Sequence, residues 1–121
     1  MLRRDDDEHM VPMEWRATFE QIVNSFLLHD YQLASHPVEH VVAVDPSIAD
    51  NIAWNIEAYG SPLAALNPAI WERSVYRWMD GHWLFLVDLT TNDEEVSDLT
   101  LHATWYEEPI PCLVVQSVHV P

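Results

Sequence analysis

The chain has 121 residues and a formal net charge of −15, from 20 acidic side chains and five arginines, with no lysine. Hydrophobic residues make up 49% of it, including six tryptophans, which excludes the composition of a disordered acidic tail. Because nucleic-acid phosphates are neutralised by lysine and arginine, this charge also excludes direct nucleic-acid binding and predicts a basic protein partner.

The single cysteine, Cys112, excludes a disulfide within the chain and is typical of a protein in a reducing cytoplasm. Residues 1–8 lack the apolar segment of a signal peptide, and no apolar run approaches the ~20 residues of a membrane span. We therefore expect a cytoplasmic protein that does not cross a membrane.

The chain begins with an acidic segment, and a helical pattern follows it. Residues 1–11 include four consecutive acids at positions 5–8, and we expect this N-terminus to be disordered or frayed. Residues 12–121 are predicted to form a single domain. Apolar residues at spacings of three and four predict a first helix over residues 12–29.

Proline and glycine mark the ends of a second helix. Asp45 and Pro46 are typical of an N-cap and a first helical position, and we expect the Asp45 carboxylate to accept backbone amide hydrogens. Gly60 is typical of the left-handed residue that ends a helix. The β-branched residues 38–44 predict a short strand before this helix, and residues 62–66 predict one more helical turn after it.

The second half of the chain alternates with the period of strands. Asp80-Gly81 is typical of a type I′ turn in a two-residue hairpin, and such a turn pairs Trp78 with Trp83. One side of this hairpin carries four aromatic rings, and the other side is mostly aliphatic. Both sides therefore require cover, from helices, a loop or a second copy of the chain.

Helices in the first half and strands in the second predict an α+β fold. Two main N-terminal helices pack on an antiparallel sheet of four or five strands, as a two-layer sandwich. The spatial order of the C-terminal strands follows the sequence. The predicted strands cover residues 74–79, 82–89, 98–106 and 113–120.

The sequence contains no pattern that we can assign to catalysis or to a cofactor. Two glycines are too few for a phosphate-binding loop, and no serine has a nucleophile-elbow sequence around it. Seven histidines are present, but Pro37 disfavours a helix through His36 and His40, as the zinc-protease motif would require. We therefore expect neither an enzyme nor a bound metal.

One face of the second helix has the composition of a protein-binding surface. At about 100° per residue, Asp50, Trp54 and Glu57 lie opposite the isoleucine face. Tryptophan is enriched at binding hot spots, and adjacent carboxylates steer a basic partner. The alternative is that another element covers Trp54. A second acidic binding region is predicted in the loop after the hairpin, at Asp93, Glu94 and Glu95.

Several short motifs occur in the chain: Tyr59-Gly60, Trp71, Ser74-Val75-Tyr76, Trp78, Asp80-Gly81, Trp83, Val87-Asp88-Leu89-Thr90, Ser97-Asp98-Leu99 and Val118-His119-Val120-Pro121. With these motifs the chain resembles a small bacterial domain family of unknown function, over about residues 14–121. The resemblance implies a bacterial cytosolic protein and brings no catalytic residues. In size and acidity the chain is also similar to immunity proteins that neutralise bacterial toxins.

These features predict an acidic protein-binding module, and we expect an immunity-type inhibitor that occludes a basic bacterial toxin. The alternative is a DNA mimic or another anionic decoy of a nucleic-acid-binding protein, and a small enzyme is a third, less favoured hypothesis. A mimic needs rows of carboxylates at phosphate spacing, whereas an inhibitor needs an acidic patch around an apolar anchor. A homodimer through the apolar hairpin face is a further expectation.

Overall fold

The computed structural model describes residues 1–121, and its main feature is a five-stranded antiparallel sheet. The sheet contains, in spatial order, β1 (His9–Met10), β3 (Val75–Trp78), β4 (Trp83–Asp88), β6 (Thr100–Tyr106) and β7 (Cys112–His119). A second, small sheet pairs β2 (Leu63–Ala64) with β5 (Thr90–Thr91). The helices are α1 (Met13–Leu27) and α2 (Pro46–Tyr59). The α+β prediction is confirmed, including strand order in the C-terminal part of the large sheet.

The hairpin between β3 and β4 has the predicted register. Trp78 pairs with Trp83 across the two strands. Asp80 and Gly81, which connect the strands, have φ values of 55° and 118°. Positive φ at both positions is what a turn of this type requires, so the turn chemistry sets the pairing of the strands.

The aromatic side of this hairpin faces the helices. The rings of Trp15 and Phe19 in α1 have centroids 4.9 and 5.2 Å from that of Phe85. Three of the four hairpin rings are buried, and they belong to one cluster of 25 buried hydrophobic residues. The other side of the hairpin carries the half-buried Leu84 and Leu86. The aromatic ladder is therefore part of the core, and the aliphatic side is open.

The predicted helix ends agree with the structure to within a few residues. α2 begins directly after Asp45, and Gly60 follows its last residue with a φ of 87°. One detail of the prediction is wrong. The Asp45 carboxylate accepts a hydrogen bond from the Ser47 hydroxyl and makes none to the amides of the first turn. A nearby hydroxyl competes with the backbone for this short side chain.

α2 packs against β7, which is an edge strand of the sheet. Its buried residues are Ala49, Ile52 and Ile56, and Asn55 Nδ2 donates a hydrogen bond to the Val118 carbonyl at 2.9 Å. This contact fixes the orientation of α2, so that the opposite side of the helix faces away from the sheet. Neither α1 nor α2 has the length and apolar character of a membrane-crossing helix.

The predicted strand over residues 38–44 is wrong. Within this segment only Val41 forms a bridge, parallel to Leu113. His40 has a φ of 65°, in the left-handed region, and this interrupts an extended backbone. β-branched residues favour strands because their side chains pack well on the surface of a sheet. In this segment only Val41 pairs with a strand of the sheet, so the preference has little effect.

The predicted helical turn over residues 62–66 is also wrong. Leu63 pairs with Thr91 in the small sheet, and the Pro62 carbonyl accepts a hydrogen bond from Asn92 N–H at 2.9 Å. Pairing with a distant strand therefore overrides the local helix signal. The Asn67 side chain instead accepts a hydrogen bond from the amide two residues later and begins a 3₁₀ helix, Pro68–Glu72.

The N-terminal residues, which we expected to be disordered or frayed, lie along the sheet. β1 pairs with β3, and Leu2 has only 7% of its surface exposed. The Arg3 carbonyl accepts a hydrogen bond from Trp83 Nε1 at 2.9 Å, and Arg3 N–H donates to the Tyr76 hydroxyl at 3.0 Å. Leu2 and the buried Val11 anchor the two ends of the segment, while most of the acids between them face solvent.

Candidate protein-binding surface

The outer face of α2 presents the three residues of the first predicted binding region to solvent. Asp50 and Glu57 are exposed, and Trp54 has 70% of its surface exposed. The other face of the helix is buried through Ile52 and Ile56. No element covers Trp54, so the alternative in which it packs beneath another part of the chain is not observed. One large apolar side chain therefore lies between two carboxylates, open to water.

The acidic loop is connected to the C-terminal end of α2. Asp93, Glu94 and Glu95 are exposed. Tyr59, the last residue of α2, donates its hydroxyl hydrogen to Glu94 Oε1 at 2.6 Å and accepts a hydrogen bond from Asp98 N–H at 3.1 Å. The hydrogen bond to Glu94 raises the pKa of Tyr59. One side chain thus links the second predicted binding region to the helix that carries the first.

The connection from α1 to α2 is organised by one carboxylate. Asp30 accepts hydrogen bonds from the backbone N–H groups of Ala34, Ser35 and His36, at 3.1, 2.9 and 2.7 Å. Burial acts to raise the pKa of Asp30, but these hydrogen bonds together hold the pKa below its usual value. The His36 ring, 3.3 Å from the same carboxylate, is engaged in this turn.

A groove lies between the end of α1 and the C-terminal half of α2. It has a volume of 640 Å³ and is lined by apolar side chains such as Phe26, together with Tyr31, Glu57 and Ser61. A cleft of 350 Å³ shares Tyr31 with it and is lined by Asp50. The two acids of the α2 surface therefore each border a concave region. Sequence reasoning missed the groove, because it forms where an irregular connection docks against α2 and no local pattern reports docking.

A separate polar cluster lies on the open face of the sheet. Asp88 Oδ2 is 3.5 Å from Arg73 Nε, and Asp88 Oδ1 accepts a hydrogen bond from the Thr100 hydroxyl at 3.2 Å. Burial raises the pKa of Asp88, although these two neighbours partly offset it. The rings of His102 and His119 stack with centroids 4.3 Å apart. No group of three or more histidine, cysteine, aspartate or glutamate side chains is placed to hold a metal ion.

The geometry defines a small α+β domain with two helices over one face of an antiparallel sheet and an acidic surface around an exposed tryptophan. Residues 23–121 match the family described as a domain of unknown function (DUF7668), and the chain belongs to this family. Comparisons with curated proteins and with solved structures gave no match. The family description assigns no activity.

Proposed function

We propose that this protein binds a basic protein through the outer face of α2 and the acidic loop. In this proposal it acts in the cytoplasm of a bacterium as an immunity-type inhibitor, and it blocks a basic toxin by covering the toxin's working surface. The observation that carries the proposal is Trp54, 70% exposed between two carboxylates in a chain of net charge −15.

In this proposal Trp54 and the two carboxylates contribute to binding in different ways. An indole ring gives a large, rigid contact area, and loss of such a side chain at a hot spot costs about 2 kcal/mol or more. The carboxylates of Asp50 and Glu57 act over a longer range. They can raise the association rate above the ~10⁵–10⁶ M⁻¹s⁻¹ of a pair of neutral surfaces.

The spacing of these acids supports an inhibitor more than a DNA mimic. Asp50 and Glu57 are separated by about 10 Å along the helix axis, given a rise of ~1.5 Å per residue. A strand of B-DNA carries a phosphate every ~3.4 Å along its axis. A mimic also has no use for a tryptophan between its charges, whereas an inhibitor uses one as an anchor.

The proposal is tested by capture and then by affinity. The immobilised protein is exposed at low salt to the lysate and the secreted fraction of the source bacterium, and the captured basic protein is purified. A toxin reading frame next to the gene would identify the same protein. We expect Trp54→Ala to weaken binding of that partner roughly thirtyfold, mainly through faster dissociation.

Ile110→Ala is the matched control, because Ile110 is 72% exposed and lies in a different part of the chain, the loop between β6 and β7. Its affinity should equal that of the wild type. If a folded Trp54→Ala protein binds the partner unchanged, the proposed surface is wrong. If every pair of neutralised acids weakens binding equally while Trp54→Ala has no effect, the DNA-mimic hypothesis is favoured.

A further inference from the structure

The groove beside α2 has the size and lining of a binding pocket for a side chain. Its volume of 640 Å³ lies within the range of ~300–1,000 Å³ that ligand pockets occupy. Phe26, Ile56 and Leu63 supply apolar lining from α1, α2 and β2. Three separate elements therefore shape one apolar concavity.

Ser61, at the edge of this groove, has a hydroxyl group without a hydrogen-bond partner. It is one of the lining residues, and only 9% of its surface is exposed. Its Oγ atom is buried and has no hydrogen-bond partner within the chain. Buried hydroxyl groups almost always have a partner, and a turn of the Ser61 side chain into the groove would let a bound ligand supply one.

The charge of the groove is negative. Glu57 lines it, and no lysine or arginine does. Tyr31 lies in the same lining, and both burial and the Glu57 carboxylate raise the pKa of its hydroxyl. Glu57 therefore places a negative charge at the groove. A cationic group beside an apolar one matches this lining, and an anionic ligand does not.

We propose that the groove holds an apolar side chain of a basic peptide segment, with a neighbouring lysine or arginine paired to Glu57 and a backbone carbonyl accepting the Ser61 hydroxyl. This inference rests on the proposed function, because Glu57 belongs to both surfaces. It adds a second anchor on the partner, next to the contact made by Trp54.

The test uses a peptide and does not need the partner. The probe is acetyl-Lys-Leu-Phe-Lys-amide, titrated into ¹⁵N-labelled protein and followed by amide chemical shifts. We expect saturable shifts at Gly60, Ser61 and Leu63. Two matched peptides should shift these amides much less. One has glutamates in place of the lysines and lacks the cationic groups; the other has alanines in place of Leu and Phe and lacks the large apolar side chains.

Variants then assign the contacts. Ser61→Ala and Glu57→Gln should each weaken the lysine peptide at least about threefold, since each removes one polar contact. Glu20→Gln makes the same charge change on the exposed side of α1 and should leave the affinity unchanged. Thermal unfolding confirms that each variant is folded.

Equal shifts with the glutamate peptide, shifts confined to other residues or no shifts at all would overturn the groove inference. None of these results bears on whether Trp54→Ala weakens the captured partner. Conversely, if the partner binds Trp54→Ala as tightly as the wild type, the proposed function is refuted, and the peptide titration still tests the groove.

Discussion

Trp83 and Trp54 show how differently two regions of this protein use the same side chain. Trp83, in the hairpin, has 2% of its surface exposed and donates its indole N–H to the Arg3 carbonyl at 2.9 Å. Trp54, on the outer face of α2, is 70% exposed. Most aromatic side chains of the hairpin are buried in the core, whereas the tryptophan of α2 lies outside it. An indole that the fold does not use is free to contact a partner.

The charges around the two tryptophans also have opposite signs. The guanidinium of Arg4 lies 5.1 Å from the ring of Trp83, a cation–π contact within the chain. Trp54 is flanked by Asp50 and Glu57, and these acids have no cation from the chain beside them. Trp83 therefore meets a cation from within the chain, while the α2 surface is suited to a cation from elsewhere.

The largest expected effect is on stability. Trp83→Ala should lower the free energy of unfolding by about 3–5 kcal/mol, because it leaves a cavity in the core. Trp54→Ala should change it by less than about 0.5 kcal/mol, as is usual for surface positions. Urea unfolding followed by circular dichroism measures both. A large destabilisation by Trp54→Ala would mean that Trp54 is part of the fold, and the comparison would fail.

The next effect is on the rate of association with the captured partner. Asp50→Asn with Glu57→Gln should slow association roughly fivefold or more at low salt, because local charges dominate steering at an interface. Glu14→Gln with Glu20→Gln makes the same charge change on α1 and should slow it by about twofold or less. Asp93→Asn with Glu94→Gln should fall between them. Stopped-flow mixing measures the association rates. If all three double variants associate equally slowly, the net charge of the whole protein steers the partner, and the α2 surface does not.

A smaller effect concerns the link between α2 and the acidic loop. Tyr59→Phe removes the hydrogen bonds with Glu94 and Asp98, and we expect about 1 kcal/mol less stability. Hydrogen exchange should become faster at Asp98, whose amide loses its acceptor. Tyr106→Phe is the matched control, because no hydrogen bond of the Tyr106 hydroxyl occurs in the chain. Equal effects of the two variants would show that Tyr59 does not hold the loop.

The smallest effect is a pH dependence on the open face of the sheet. Burial and then the neighbouring His119 lower the pKa of His102 below its usual value. The unfolded chain therefore binds more protons than the folded one as pH falls through the usual histidine range, and stability decreases there. His102→Leu should remove this part of the decrease between about pH 7.5 and pH 5.5. If the free energy of unfolding of the wild type and of His102→Leu falls by the same amount between these pH values, His102 is not the source of this pH dependence.

The hairpin and α2 were predictable because local chemistry determines them. Asp80-Gly81 permits one kind of turn, and that turn fixes the pairing of Trp78 with Trp83. Gly60 ends α2 where its positive φ is needed. In each case the signal and the structure it controls lie within a few residues of each other.

The misses come from contacts between distant parts of the chain. Within the predicted helical turn, Leu63 and Ala64 form a strand because Leu63 meets Thr91, and the N-terminal segment lies along the sheet, where Leu2 is buried and Arg3 contacts the hairpin. The groove at Ser61 depends on how the α1–α2 connection docks, which no local pattern encodes. The α2 surface could be named from helical spacing alone, but its exposure could not.

The aliphatic face of the hairpin remains the site of the predicted homodimer. Leu84 and Leu86 are half-buried there, and neither helix covers them. Sedimentation of the wild type and of Leu86→Lys over a range of concentrations measures this directly. A dimer that the lysine abolishes would support the prediction, and a monomer at every concentration would refute it.

The most direct test of the central claim is to watch Trp54 in the complex. The protein is labelled with 5-fluorotryptophan, and the resonances of Trp54 and Trp83 are assigned from the spectra of Trp54→Phe and Trp83→Phe. On addition of the basic partner, the Trp54 fluorine signal should shift. Its chemical shift should also stop changing when H₂O is replaced by D₂O, because the ring is no longer exposed to solvent. The Trp83 signal should stay in place. A complex that forms with the Trp54 signal unchanged would contradict the account.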